Sequence, residues 1–483
     1  MAEFTVAIEL GSSKITGVAG KKNMDGSISI LAVAQEYSHS CIRNGVVRNI
    51  DKTSQALTSI IKKLENSLKT RIAHVYVGVG GQSIQCVKNT NVKELPSDSK
   101  VTKAMIDELM DANRSMQYPG KQILDAITQE YKVDNSYQID AVGMPCTRLE
   151  GNFLNILGRE TFYNYLKKSF DQANITVLDM YLSPLALADS VLTETEKRSG
   201  CVLVDLGADT TTVCVYYKNI VRHLVVIPLG SNNITKDIAS TQMEESDAEK
   251  IKVKYASAYT EANEIDKNKV YTTENGQGIT QSQLADIVEA RLEEIVENVW
   301  CQVPNELADK LLGGVILTGG GSNMKNIERA FTNHARSFSN NSHIEKVRVA
   351  KFVNETIKST NAIVNAKDGR LCTVLGILAK GDQNCAGNEI SNDLFGETEK
   401  KPKTTEAKGP KPDDNSGRII QPNPADKAKE EQLRKQKEEE ERRKQEEAEE
   451  AERKKKRENS WLHKIAHNLK VFGNKMVSPD EEE

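Results

Sequence analysis

The stretch that decides the fold lies near the N-terminus, where residues 6–17 read VAIELGSSKITG. An apolar strand ends in an acid and a glycine, small hydroxyl residues and a lysine follow, and a second strand begins. Residues 202–213 repeat this pattern as VLVDLGADTTTV, and residues 314–323, GVILTGGGSN, end a third apolar strand in three glycines. One such strand end is usually a plain β-turn. Three of them, the first two alike, indicate two related halves folded toward a shared cleft.

Each element of this pattern suits a nucleotide. A tight turn between strands points backbone N–H groups and hydroxyls at a phosphate, and glycine lets the backbone approach closely. An acid at the strand end can hold Mg²⁺, usually through water. Lys14 adds a point charge for phosphate oxygens. The triple-glycine turn lets backbone lie against a ribose or adenine ring. The sequence therefore predicts nucleotide binding.

Composition argues against several other classes of protein. The first 381 residues hold 43 basic and 44 acidic side chains, so no positive field exists to gather nucleic acid. We see no secretory signal and no apolar run of the ~18 residues that span a bilayer. The eight cysteines are scattered without a Cys-x-x-Cys pair, which is typical of reduced cytosolic thiols. We expect a cytosolic, soluble protein.

Apolar strand-like runs alternate with amphipathic helical runs over residues 1–381, which predicts an α/β fold with a largely parallel sheet. Strands are expected over residues 4–10, 28–33, 75–79, 201–206 and 313–317. Helices are expected over residues 53–68, 182–193, 283–299 and 373–378. Between residues 83 and 163 the pattern changes to short strands around one helical run, 103–116, which indicates a small inserted α+β unit.

Four segments resemble a known superfamily. They are residues 7–14 (AIELGSSK), 182–192 (LSPLALADSVL), 227–238 (IPLGSNNITKDI) and 316–322 (ILTGGGS). The three strand ends are similar to the phosphate-1, phosphate-2 and adenosine motifs of the actin, heat-shock chaperone and sugar-kinase superfamily. Within it, the chain resembles the FtsA family of bacterial cell-division proteins over nearly all of residues 1–381. The resemblance implies an actin-like (ribonuclease-H-like) fold, with duplicated domains around a nucleotide cleft and a small inserted α+β subdomain.

That resemblance gives a predicted division of the whole chain. The parts are 1–82 and 164–196 (subdomain IA), 83–163 (inserted subdomain IC), 197–230 and 301–381 (IIA with the closing helix), 231–300 (IIB), 382–424 (disordered linker), 425–458 (charged spacer helix) and 459–477 (amphipathic membrane-anchoring helix).

The resemblance also implies ATP and Mg²⁺ as cofactors, with Asp205 holding the metal through water. The residues implied at the phosphates are Gly11, Ser12, Ser13, Lys14, Gly207, Thr210 and Thr211, and those at the adenosine are Glu249, Lys252, Gly319, Gly320 and Gly321. Two residues depart from the family pattern. Asp209, close to the phosphates, either assists Mg²⁺ or repels the γ-phosphate, and Glu9 replaces the commoner aspartate. We therefore expect ATP binding with slow or undetectable hydrolysis.

The C-terminal region has an unusual charge pattern. Residues 425–458 carry 13 acidic and 13 basic side chains, and opposite charges three or four residues apart favour an isolated helix. Residues 461–477 place apolar side chains on one helical face: Trp461, Leu462, Ile465, Leu469, Phe472 and Met476. Five cations, 453–457, precede them. A helix docked on its own core and a partner-binding helix are alternatives, but an interfacial helix on an anionic membrane explains the aromatic residues and the cations together.

By resemblance, the chain tethers the tubulin-like protein FtsZ to the cytoplasmic face of the inner membrane at the division septum. The FtsZ C-terminal tail would contact residues 231–300, with Arg291 as the candidate residue, although an ordinary surface ion pair with Glu294 explains Arg291 equally well. Self-association into filaments and binding of other division proteins to the inserted subdomain are implied too. The alternative is a soluble sugar or acetate kinase of the same superfamily, which would have no use for an interfacial tail.

Overall fold

Strands and helices alternate along the chain in the computed structural model, which describes residues 3–96, 99–266, 268–338, 346–389 and 417–419. The predicted spacer helix (425–458) and amphipathic helix (459–477) lie outside these residues.

The strands are β1 (Thr5–Leu10), β2 (Lys14–Lys22), β3 (Ile28–Tyr37), β4 (Ile42–Arg43), β5 (Val46–Val47), β6 (Thr70–Ile72), β7 (Val75–Val79), β8 (Gln85–Glu94), β9 (Lys121–Val133), β10 (Ser136–Gln138), β11 (Arg148–Arg159), β12 (Val177–Leu182), β13 (Cys201–Leu206), β14 (Thr211–Tyr217), β15 (Ile220–Ile227), β16 (Val270–Thr272), β17 (Gly278–Thr280), β18 (Gly314–Thr318), β19 (Val347–Val349), β20 (Ile357–Lys358) and β21 (Ala386–Glu389).

The helices are α1 (Ile50–Leu68), α2 (Lys103–Arg114), α3 (Glu160–Gln172), α4 (Ser183–Val191), α5 (Glu194–Ser199), α6 (Ser231–Ala239), α7 (Glu245–Tyr255), α8 (Gln281–Cys301), α9 (Asn305–Ala308), α10 (Ile327–Phe338), α11 (Ala362–Asn365) and α12 (Cys372–Lys380). None of the described helices is both long and apolar enough to cross a membrane.

Two sheets share one strand order. In the first, β1, β2 and β3 form an antiparallel meander, β7 pairs in parallel with β1, and β12 pairs in parallel with β7. In the second, β13, β14 and β15 form the meander, and β18 and β19 follow in parallel on the other side of β13. This repeated order confirms the predicted duplication.

The helix α1 shows how local sequence builds the first half. The side chain of Asn49 accepts a hydrogen bond from the backbone N–H of Lys52 and caps the helix start. Leu57, Ile60 and Leu64 are fully buried at a spacing of three and four residues, so one helical face packs against the sheet. The burial of this face stabilises the first half of the molecule, which includes β1 and the turn between β1 and β2.

The inserted unit consists of β8 to β11 with α2, as the sequence predicts for a small α+β subdomain. The Thr102 side chain caps α2 by accepting a hydrogen bond from Met105 N–H. A separate apolar cluster, which includes Leu109, Tyr131 and Phe153, fills the space between α2 and the strands. The unit joins the second sheet where β8 pairs with β15, so that sheet has nine strands in all among the described residues.

The prediction that residues 382–424 form a disordered linker is wrong for the parts of that range that the structure describes. β21 pairs with β6, and Cys385 just before it is fully buried. Residues 417–419 lie against β12, where Ile419 is 3% exposed. The prediction came from average composition, and an average over a polar range conceals single apolar residues that dock on a neighbouring surface.

Candidate nucleotide cleft

A cleft of ≈ 1780 Å³ separates the two sheets, and the three glycine-containing strand ends all face it. Twelve predicted residues line the cleft: Gly11, Ser12, Ser13, Lys14, Asp205, Gly207, Thr210, Glu249, Lys252, Gly319, Gly320 and Gly321. These residues come from distant parts of the chain, so the structure brings together the groups that the sequence singles out.

Thr211 is the exception among the predicted phosphate residues. Its side chain is fully buried, and its hydroxyl donates to the carbonyl of Leu229 at 2.8 Å. Thr212 lines the cleft instead. Side chains alternate between the two faces of a strand. Neighbouring residues of β14 therefore point in opposite directions, and Thr212 points into the cleft whereas Thr211 does not. The structure therefore directs the Thr211 side chain away from the cleft.

The first turn, between β1 and β2, is closed by a hydrogen bond from Gly11 N–H to the Lys14 carbonyl at 3.0 Å. Ser12 accepts a hydrogen bond from Gly45 N–H at 2.8 Å, which ties the turn to the loop before β5. The Lys14 ammonium lies 5.6 Å from the centre of the Tyr37 ring. A cation on an aromatic face is oriented without being neutralised, so Lys14 keeps its charge available to an anion in the cleft.

The second turn, between β13 and β14, closes in the same way, with Gly207 N–H donating to the Thr210 carbonyl at 2.9 Å. Asp209 on this turn has both carboxylate oxygens engaged. One accepts from Asn44 N–H at 3.2 Å, across the cleft, and the other accepts from the Asn232 side chain at 2.8 Å. Asp209 therefore fastens the second turn to the first half of the molecule.

Two acids lie at the floor of the cleft, one from each half. Burial and the nearby Asp205 charge raise the pKa of Glu9 to about 8, although Thr373 and the backbone N–H of Val374 donate hydrogen bonds to it. Burial also raises the pKa of Asp205 to about 6. Two carboxylates that repel each other in a shielded place form a site that favours a cation. The described residues contain no cluster of three or more His, Cys, Asp or Glu that would hold a metal without water or phosphate.

The triple-glycine turn lies directly against the second turn. Gly319 has φ 82°, a conformation that side chains rarely adopt, and a Cβ there would overlap the Asp205 carboxylate and lie 2.7 Å from the Leu206 carbonyl. Only glycine lets β18 end this close to Asp205. The close contact holds Asp205, the predicted metal residue, next to Gly319, a predicted adenosine residue.

The predicted adenosine pair lies on α7. Lys252 is 7% exposed, and its ammonium donates to the Thr235 hydroxyl at 2.7 Å and to the Ser231 carbonyl at 3.1 Å. It also pairs with Glu249 at 2.6 Å. This network holds the Glu249 carboxylate in place beside the cleft, where a ribose hydroxyl could donate to it.

The structure adds lining residues that sequence reasoning missed: Asn44, Ser183, Arg370, Tyr255 and Tyr271. The rings of Tyr255 and Tyr271 stack at 4.2 Å. Two of these residues had a signal in the sequence: Asn44-Gly45 is a turn dipeptide, and Ser183 lies in residues 182–192, one of the segments that resemble the superfamily. The others reach the cleft through long-range packing, which one sequence does not reveal.

Arg291 lies on α8, among residues that do not line the cleft. Its guanidinium donates to Asp237 at 2.9 Å and pairs with Glu294, and the side chain is 26% exposed. The ion pair with Glu294 that the sequence suggested is present, and the pair with Asp237 joins α8 to α6. Arg291 is therefore held in an ion-pair network on the surface of residues 231–300.

Comparison with known proteins bears on this architecture. A family model for "Cell division protein FtsA" matches residues 202–376, and a model for the "SHS2 domain inserted in FTSA" matches residues 81–157. The chain is 33% identical over 328 residues to the cell division protein FtsA of Neisseria meningitidis serogroup B, which covers 66% of this chain and 79% of that relative. The chain belongs to the FtsA family of cell division proteins.

Other comparisons agree with this membership. The FtsA of Bacillus subtilis strain 168 is 30% identical over 332 residues, covering 67% of this chain and 75% of that relative. A solved PilM–PilN type IV pilus biogenesis complex contains a chain with TM-score 0.54 and 13% identity, covering 78% of this chain and 98% of that chain, which is a likeness of fold alone. The actin-like fold class is confirmed. The FtsA relatives favour a division protein over a sugar or acetate kinase.

Proposed function

We propose that this FtsA-family division protein binds ATP with Mg²⁺ in the cleft between its two sheets. The observation that supports the proposal is that two phosphate-type turns and the triple-glycine turn line one cleft of ≈ 1780 Å³. The first turn (residues 11–14) and the second turn (residues 207–210) would hold the phosphates through backbone N–H groups. Glu249, Lys252 and the glycines 319–321 would hold the adenosine.

The acids of the cleft fit a hydrated Mg²⁺. Magnesium prefers hard oxygen ligands and keeps part of its water shell. Asp205 supplies such an oxygen, and burial raises the pKa values of both Asp205 and Glu9, so a cation beside them would be favoured. Held by Asp205 through water, the metal would supply positive charge that stabilises the phosphates. The residues of the chain orient the nucleotide around it.

We propose that ATP turnover is slow. A carboxylate that activates water must be ionised, whereas the Glu9 pKa of about 8 keeps this group mostly protonated at pH 7. Asp209 has both oxygens engaged by Asn44 and Asn232 and is not free to orient a water molecule. The nucleotide would then act as a clamp between the halves. A turnover rate like that of a metabolic kinase would contradict this part of the proposal.

The experiment for the cleft is equilibrium binding of a fluorescent ATP analogue, with competition by ATP. Lys14→Ala should weaken binding about tenfold or more, because it removes a charge that would contact phosphate in the proposed site. Lys21→Ala is the matched control, since Lys21 is an exposed lysine on the same strand, β2, at its far end. Equal affinities for the wild type and both variants would reject the site.

We further propose that the protein tethers FtsZ to the cytoplasmic face of the inner membrane at the septum and assembles into filaments. Support comes from membership of the FtsA family and from the amphipathic pattern of residues 459–477, with the apolar face given above. Lysines and arginines near an anionic leaflet each contribute about 1 kcal/mol to binding, so the run 453–457 would reinforce a short apolar face.

Liposome flotation tests the membrane part of the proposal. The intact chain should float with anionic vesicles, and a chain lacking residues 459–483 should stay at the bottom of the gradient. Neutral vesicles provide the control for the charge contribution. If the truncated and intact chains float equally, the tethering proposal fails while the nucleotide site is unaffected.

For the FtsZ tail, Arg291 is our proposed contact in residues 231–300, and the inserted subdomain, 83–163, is proposed for other division proteins. Arg291 already pairs with Asp237, so an acidic group of the tail would have to displace that carboxylate. Removal of the Asp237 carboxylate should therefore make Arg291 more available to the tail.

A further inference from the structure

Residues 417–419 lie along the outer edge of β12, the last strand of the six-stranded sheet. Two backbone hydrogen bonds fasten them. Leu182 N–H donates to the Gly417 carbonyl at 2.8 Å, and Ile419 N–H donates to the Met180 carbonyl at 2.8 Å. An edge strand offers unpaired backbone groups to any extended segment, and here a segment of the polypeptide beyond the actin-like body occupies them.

The side chains of the segment fit the same edge. The Arg418 guanidinium forms a two-pronged pair with the Asp179 carboxylate, one bond being 2.8 Å long. Ile419 is 3% exposed and joins the main apolar cluster. Gly417 has φ 69°, and a Cβ there would lie 3.0 Å from the Leu185 side chain. Three consecutive residues therefore make three different specific contacts.

Asp179 shows that the edge is built for a cationic strand. The Asp179 side chain is only 5% exposed. The negative charge of nearby Asp382 makes an ionised Asp179 still less favourable. A buried carboxylate is costly unless a cation or donors satisfy it. Arg418 is the cation that pairs with Asp179 at this edge. The edge of β12 thus matches the Gly-Arg-Ile strand in backbone hydrogen bonding, in charge and in apolar contact.

We propose that residues 417–419 are a releasable clip, which fastens the polypeptide after the actin-like body to the edge of β12. Among the described residues the clip is three residues long, so it can open without unfolding the body. On release, the tether gains up to ~3.3–3.6 Å of reach for each residue that the clip had held back. The effect on tether length rests on the proposed membrane function, whereas the clip itself does not.

Hydrogen exchange of the full-length protein in solution tests the clip. The amides of Leu182 and Ile419 should be protected in the wild type. Gly417→Val should speed their exchange about tenfold or more, because valine disfavours the positive φ and collides with Leu185. Gly409→Val is the control, being the same substitution eight residues earlier in the chain. Arg418→Glu places a second carboxylate beside Asp179 and should speed the exchange of the Leu182 and Ile419 amides, as Gly417→Val does. An unchanged thermal midpoint of unfolding shows that the body stays folded in each variant.

Fast exchange of Leu182 and Ile419 in the wild type, or protection that survives both substitutions, would overturn the proposal. Protection that disappears on dilution would also overturn it, because the strand would then come from a second copy of the chain.

No lipid is present in the hydrogen-exchange experiment, so failure of the clip and failure of the membrane tether are distinguishable.

Discussion

The two halves of the molecule repeat one strand order, yet the acids at the ends of their first strands have different surroundings. Glu9 accepts hydrogen bonds from Thr373 and from the N–H of Val374 at the start of α12, and its pKa is about 8. Asp205 lies against Gly319, and its pKa is about 6. Duplication supplies a symmetric cleft, whereas the local neighbours leave Asp205 with the lower pKa and Glu9, beside the closing helix, with the higher one.

The largest expected effect comes from Gly319, the residue that brings the third turn against Asp205. Gly319→Ala should lower the free energy of unfolding by about 3 kcal/mol and remove ATP binding, because a Cβ collides with the second turn. Thermal unfolding and ATP binding measure both effects. Gly320→Ala is the control, since its nearest neighbour would be the Arg370 side chain at an ordinary 3.5 Å. Similar behaviour of the two variants would show that the close contact is unimportant.

The two acids should respond differently to loss of charge. Asp205→Asn should weaken Mg-ATP binding about tenfold or more, because it removes a charged oxygen from the proposed metal site. Glu9→Gln should change the affinity by less than about threefold at pH 7, because the Glu9 carboxyl is already mostly neutral. Titration calorimetry of both variants measures the difference. A larger loss in Glu9→Gln than in Asp205→Asn would reverse the assignment of roles.

The pKa of Glu9 also predicts a pH dependence of the nucleotide-free protein. The unfolded chain loses this proton near its ordinary pKa of 4.5, whereas the folded protein keeps it up to about pH 8. Between these values the folded state binds more protons, so the free energy of unfolding falls as pH rises. Thermal midpoints between roughly pH 6.5 and 8.5, above the Asp205 pKa, should fall more in the wild type than in Glu9→Gln. Parallel curves for the two proteins would contradict the raised pKa.

A smaller effect is expected at Arg291, outside the cleft. The ion pair with Asp237 is partly exposed, so Arg291→Ala should lower the free energy of unfolding by about 1 kcal/mol. Asp237→Ala should cost a similar amount of stability, but it should strengthen binding of an FtsZ tail peptide because the arginine becomes available. Fluorescence anisotropy of the peptide distinguishes the cases. Weaker tail binding in both variants would indicate a purely structural pair.

Much of the fold could be predicted because apolar runs with clear ends need no tertiary information. The predicted strands 75–79 and 201–206 match β7 and β13 residue for residue, since glycine follows each run closely. The helix predicted over 283–299 extends by two residues at each end to α8, whose capping box at Thr280 and Gln283 lies just outside the apolar pattern. The apolar periodicity identifies the buried face of the helix, whereas the capping residues that begin the helix lie outside that pattern.

The candidate site was less predictable where it depends on contacts between distant residues. Asp209 and Asn44 are 165 residues apart, and nothing local reveals that this carboxylate fastens one half to the other. Thr211 and Thr212 are equivalent as sequence, and only the register of β14 decides which hydroxyl lines the cleft. The docking of Ile419 was concealed for the same reason, because a single apolar residue carries no periodic signal.

We propose that the two halves of the molecule hold one Mg-ATP between them. Titration calorimetry of the wild-type protein with ATP, in the presence of Mg²⁺ and then of a chelator, tests it most directly. We expect one site per chain and binding that weakens strongly when Mg²⁺ is removed. Near pH 6 we also expect release of protons in the presence of the metal, measured by comparing buffers, because Mg²⁺ lowers the raised pKa of Asp205. Absence of binding with Mg²⁺, or an affinity and proton balance that the chelator leaves unchanged, would contradict the proposed site.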